Sequence, residues 1–194
     1  MATGPPFGFG IQGPDDWARL ETAPNRWQRS VERLLDPPPG GTGRLPAAAR
    51  RDAAGVLEDL VAVAQHTGVV LCLVKLARDA GGRLFYGSLT LGWYDSAPVP
   101  ADLAFARLVV GRADDVEELD TPTGPGLLHR TTEAVPPEWR DLFGGADAHA
   151  AQALVPVPGT RWTALVSGTT SNSCHADLLA GLVRRMAGSL RVGA

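Results

Sequence analysis

The residues best equipped for chemistry are Ser173-Cys174-His175, where a thiol and an imidazole are adjacent at the start of an expected helix. The helix dipole stabilises a thiolate at that position, and a neighbouring imidazolium lowers the thiol pKa further. Asp177 or Asp147 could then orient a histidine, completing the nucleophile, base and orienter of a cysteine-dependent hydrolase centred on Cys174. Helical geometry argues against this arrangement. Adjacent residues on a helix point about 100° apart, so His175 is expected to be a poor base for Cys174. The base would have to be His129 or His149, brought in from elsewhere. In the simpler reading Ser173 or Asn172 caps the helix, Asp177 complements its dipole, and Cys174 is incidental. No catalytic residue is expected on that reading.

Metal and phosphate chemistry have less to build on. His66, His129, His149 and His175 are scattered, with no H-x-x-x-H pair and no C-x-x-C. Gly8-Phe9-Gly10 opens no helix, Gly40-Gly41-Thr42-Gly43 follows no strand, and no Gly-Lys-Ser or Gly-Lys-Thr occurs. The expectation is no metal and no cofactor.

Two stretches suit the binding of another protein. Asp114-Asp115-Val116-Glu117-Glu118-Leu119-Asp120 places five acids in seven residues. That density can steer a basic partner, or it can simply solvate a strand edge and discourage aggregation. Pro136 to Phe143 reads as one proline-started helical turn with Trp139, Leu142 and Phe143 on one side. Such a cluster either folds onto the core or anchors a partner. The candidate partner-binding residues are therefore Trp139, Leu142, Phe143, Asp114, Asp115, Glu117 and Glu118. Arg184-Arg185, near the end of the last helix, is expected to complement its dipole without implying a ligand.

Length and charge narrow the class. A chain of 194 residues fits one domain, 1–194, and can bury about 70% of its extended surface. A formal net charge of −3 and a pI of about 5.8 disfavour nucleic acid, whose phosphates need a basic face. Lys75 is the one lysine among many arginines, a skew that GC-rich coding accounts for. The first residues lack the basic and apolar regions of an export signal, and no stretch approaches the ~18 apolar residues that span a bilayer. With two cysteines and no disulfide framework, a cytoplasmic location without membrane insertion is expected.

The elements that must position these residues follow from periodicity. Phe7, Phe9 and Ile11 alternate with glycines as a short opening strand. Trp27 to Leu35 forms one helix, and Arg50 to Thr67, begun by Pro46 and ended by Gly68, forms a longer one striped by Val56, Leu57, Leu60, Val61 and Ala64. Val69 to Leu76 and Leu84 to Tyr94 flank Asp79-Ala80-Gly81-Gly82 as a hairpin. Asp102 can cap a short helix with Leu103, Phe105, Leu108 and Val109. Val116 to Leu119 and Leu127 to Thr132 read as weaker strands separated by a break at Thr121 to Gly126. Ala151, Ala153, Val155 and Val157 alternate with Gln152, Leu154 and Pro156, and Arg161 to Thr169 returns after a Pro158-Gly159 turn. Leu179, Leu182, Val183, Met186 and Leu190 stripe a final helix. The fold class is α+β: a curved antiparallel sheet covered by two or three helices.

The opening Phe7-Gly8-Phe9-Gly10-Ile11 with Asp16-Trp17, and the ending Gln152 to Gly159, Ala164 to Thr170 and Leu178 to Leu190, resemble the Mog1/PsbP-like fold. The same ends resemble small actinobacterial proteins, some encoded near type VII secretion genes. This resemblance implies a non-catalytic protein-binding or chaperone-like accessory module with no shared active site, possible service to a secretion system included. Two alternatives belong to other classes: a small-molecule pocket between sheet and helices, and the Cys174 hydrolase.

Overall fold

The computed structural model describes residues 4–36, 46–78, 84–95, 116–134 and 147–193. Its elements in chain order are β1 (Phe9–Gly10), β2 (Ala18–Arg19), α1 (Trp27–Leu35), α2 (Ala47–Thr67), β3 (Val69–Arg78), β4 (Leu84–Asp95), β5 (Val116–Thr121), β6 (Gly124–Ala134), β7 (Asp147–Pro156), β8 (Trp162–Thr170), a 3₁₀ turn (Ser173–His175), α3 (Ala176–Ser189) and β9 (Arg191–Val192). Seven strands form one antiparallel sheet in the order β2-β3-β4-β8-β7-β6-β5. The α+β class expected from periodicity is the class observed.

The pleat of the sheet divides its side chains between two cores. Leu73 and Leu89 face each other across β3 and β4, and with Leu91, Val166, Ala153 and Leu128 they build a core beneath α3. The intervening residues Cys72 and Val74 point the other way. They join Tyr86, Leu20 and the buried stripes of α1 and α2 in a second core. Each side chain alternates because successive Cβ atoms on a strand leave opposite faces.

Both long helices bury the faces their spacing demands. On α3, Leu179, Leu182, Val183 and Met186 are buried, as is Leu190 just beyond it; burying each side chain of this size stabilises by about 1.5–3 kcal/mol. On α2, Val56, Leu57, Val61 and Ala64 are buried, together with Ala53, whereas Leu60 is only partly covered. Pro46 holds the N-cap with an extended ψ of 150°. Gly68 closes the helix at a φ of 72°, its N–H donating to the Ala64 carbonyl, a left-handed position that glycine occupies without steric cost.

Gly168 of β8 lies directly under α3. A Cβ there would sit 2.8 Å from Val183 Cγ2 and 3.0 Å from both Leu179 Cδ1 and Leu89 Cδ2. The missing side chain is what lets the helix approach the sheet so closely.

The two ends of the described chain are tied together. β1 pairs with β9, Phe9 opposite Val192, and the Gly193 N–H donates to the Gly8 carbonyl at 2.9 Å. The Phe7 and Phe9 rings lie 5.5 Å and 5.1 Å from that of Trp93. Lys75 donates a hydrogen bond to Asp16, which together with its positive charge holds the Asp16 carboxyl below its usual pKa against the opposing effect of burial.

Several expectations are corrected. The opening strand is two residues long rather than running from Phe7 to Ile11, because β9 offers only two residues to pair with. Neither β9 nor β2 was expected, since a two-residue bridge has no periodicity to read. The break at Thr121 to Gly126 narrows to a turn at Pro122 and Thr123; Gly124, at a φ of 137°, already belongs to β6. The hairpin turn expected at Asp79 to Gly82 and the helix expected from Asp102 lie outside the described residues.

Candidate functional site

The acidic run is split by the strand it occupies. Glu117 pairs across to Leu128 of the α3 core, and both its carboxylate oxygens accept hydrogen bonds from Arg184 Nη2 on α3. Arg184 therefore clamps helix to sheet edge rather than complementing the helix end, and no basic residue lies in the last turn of α3. Glu118 pairs opposite Leu127 on the other face, and is exposed there with Asp120. Asp114, Asp115, Trp139, Leu142 and Phe143 lie outside the described residues.

Geometry around the thiol differs from the helical expectation. Cys174 sits in the 3₁₀ turn before α3, with Sγ 3.1 Å from His175 Nδ1 and donating to Asn172 Oδ1 at 3.0 Å. Neighbours on a 3₁₀ turn diverge by about 120°, yet the thiol and imidazole are in contact. Capping differs as well: neither the turn nor α3 receives a side-chain cap. The Asn172 side chain takes the thiol instead, and its backbone carbonyl accepts the His175 N–H. Asp177 is engaged by Arg130 at 2.9 Å, and His149 Nδ1 lies 3.2 Å from Thr132 Oγ1. Arg130, Thr132 and His149 border a cavity of about 190 Å³ beside the start of α3, and Cys174 is not in its lining.

The two thiols differ in accessibility. Cys174 is exposed and Cys72 buried, and burial pushes the Cys72 thiol up to about 12. Iodoacetamide at neutral pH is expected to alkylate Cys174 alone in the native protein, with Cys72 reacting only after unfolding. Cys174→Ser should change stability by no more than about 0.5 kcal/mol. Mass spectrometry of the labelled protein and a urea titration check the pair of outcomes; native labelling of Cys72 would contradict the burial.

A third feature lies on the sheet face opposite α3. Tyr94, Val116, Leu127, His129, Gln152, Leu154 and Leu165 line a depression of about 220 Å³. Its floor follows the register: Leu165 lies opposite Leu154, and Leu154 opposite Leu127. The α1–α2 core occupies this same face only over β3 and Tyr86, and includes no residue of β5, β6, β7 or β8. Among the described residues, no helix packs on the depression. Tyr94 is 45% exposed, while Leu154 and Leu165 are half-buried. Sequence reasoning missed this surface, although a signal was present. Leu154 and Leu165 stand out of phase with the buried alternation of their strands, at positions where a solvated sheet face carries polar residues.

No protein-family model matches the chain, and no curated protein sequence matches it. Among the described residues, no helix is long and apolar enough to cross a membrane.

Proposed function

We propose that this protein is a non-catalytic binding module of the cytoplasm that docks another protein on the sheet face opposite α3. The observation that carries this reading is the depression where Tyr94 is exposed and Leu154 and Leu165 are half-buried above a buried Leu127, with no helix packed on it among the described residues. Apolar surface of this kind costs free energy in water and favours a partner that removes it. Its depression of about 220 Å³ is smaller than the about 300–1,000 Å³ of pockets that enclose small molecules, so it fits side chains projecting from a partner better than a sequestered ligand. The Mog1/PsbP-like resemblance of the two ends supports the same accessory role, service to a secretion system included.

Affinity capture from the native cytoplasm, run in parallel with wild type and Leu154→Asn, tests this. A partner retained by wild type and lost by the folded variant is the expected result. Equal capture by both would place docking elsewhere. The 3.1 Å thiol–imidazole contact favours a second reading, a nucleophilic Cys174, which alkylation far faster than that of a free thiol at neutral pH would support.

A further inference from the structure

We propose that residues 7–12 form a releasable strap over Trp93, seated in a groove that takes an extended, phenylalanine-bearing segment from another chain. Trp93 belongs to the core beneath α3, whereas its neighbour Tyr94 borders the depression on the other face. The two surfaces are therefore separate.

Few contacts hold the strap. The Phe7 and Phe9 rings lie 5.5 Å and 5.1 Å from that of Trp93, and Phe9 stays 38% exposed. Two residue pairs join β1 to β9, Phe9 with Val192 and Gly10 with Arg191. The Gly8 carbonyl accepts from the Gly193 N–H, and the Gln12 N–H donates to Ser189 Oγ, both at 2.9 Å. A ladder this short is marginal by itself.

Two features weaken the hold further. An added Cβ at Gly8 or Gly10 would meet nothing within 4 Å, and neither residue has a positive φ. Neither space nor backbone demands glycine there, yet glycine loses more conformational freedom on ordering than any other residue. Gly13 differs: a Cβ there would sit 2.5 Å from Leu73 Cδ1, so the chain is rooted on the core just behind the strap. The second feature is Trp93 itself, 6% exposed, whose indole N–H is buried without an acceptor. Burial takes that donor from water, and the strap returns no hydrogen bond. Of this core, the strap is the part most readily opened.

Release uncovers the Trp93 ring, its N–H and the edge of β9 together. An extended segment with phenylalanines at alternate positions can pair with β9 and set both rings on Trp93, as the strap does. A guest that also brings a carbonyl to the indole gains a hydrogen bond that the strap lacks.

Hydrogen exchange of the Trp93 indole N–H, followed by NMR on the full chain, reads the strap directly. Its protection is expected to be at least about a hundredfold below that of the Val166 amide in β8. Gly8→Ala with Gly10→Ala should raise that protection by about fourfold to thirtyfold. Phe7→Ala with Phe9→Ala should lower it by about tenfold or more, with the circular dichroism of the folded protein unchanged. A peptide spanning Gly4 to Gln12 should restore protection to this second variant, and the same peptide with alanine at both phenylalanines should not. Equal protection of the indole and of Val166 in the wild type would overturn the releasable strap, as would an indole unmoved by the glycine substitutions. Failure of the peptide to restore protection, or restoration by the alanine peptide, would overturn the groove.

Discussion

Leu89→Ala is expected to destabilise the protein by about 2–5 kcal/mol, the usual cost of truncating a fully buried leucine in a packed core. Leu89 is 0% exposed. It faces Leu73 on β3 and Gly168 on β8, in the layer that α3 covers. Leu57 of α2, also 0% exposed, lies at the second core, and Leu57→Ala should cost a similar amount. The two leucines belong to separate clusters, so the double variant should lose the sum of the single losses to within about 0.5 kcal/mol. Urea titration of the four proteins reads this directly. A double loss far from the sum would show that the cores on the two sides of the sheet communicate.

The second large effect is steric. Gly168→Val forces a branched side chain into a space where a single Cβ already approaches three buried side chains within 2.8–3.0 Å. Overpacking of this kind costs about 1–3 kcal/mol, and the strain should emerge as a lifting of α3 from β7 and β8. The ion pairs that tether α3 to the sheet, Arg184 with Glu117 and Arg130 with Asp177, would loosen with it. Hydrogen exchange should therefore quicken along α3 while α2 keeps its protection. Gly55→Ala is the matched control: its added Cβ meets nothing within 4 Å, and in mid-helix it should stabilise by about 0.4–1 kcal/mol. If Gly168→Val melted like wild type, the close approach of helix and sheet would be disproved.

Docking and stability separate cleanly in this scheme. Glu118 and Asp120 contribute little to folding because both are solvated. Leu89 and Leu57 do the reverse. Variants that weaken partner capture without moving the urea midpoint would trace the docking face, residue by residue.

Much of the fold is legible in the sequence because its long elements carry strong periods. The α3 stripe of Leu179, Leu182, Val183 and Met186, the termination of α2 at Gly68, and the alternation of Ala151, Ala153 and Val155 all dictate their own burial locally. Two-residue strands such as β1 and β9 have no period, and they exist only because the chain ends meet. The candidate site depends on similar long-range information. Alternation shows that Glu117 and Glu118 must part to opposite faces, as must Ala153 and Leu154. It does not say which face a helix covers. That is decided by α3 settling over β7 and β8, drawing Glu117 to Arg184, while α1 and α2 pack on β3. The residues on each face are thus a local property of the pleat, whereas the depression lined by Tyr94, Leu154 and Leu165, on which no helix packs among the described residues, arises from where distant helices come to rest.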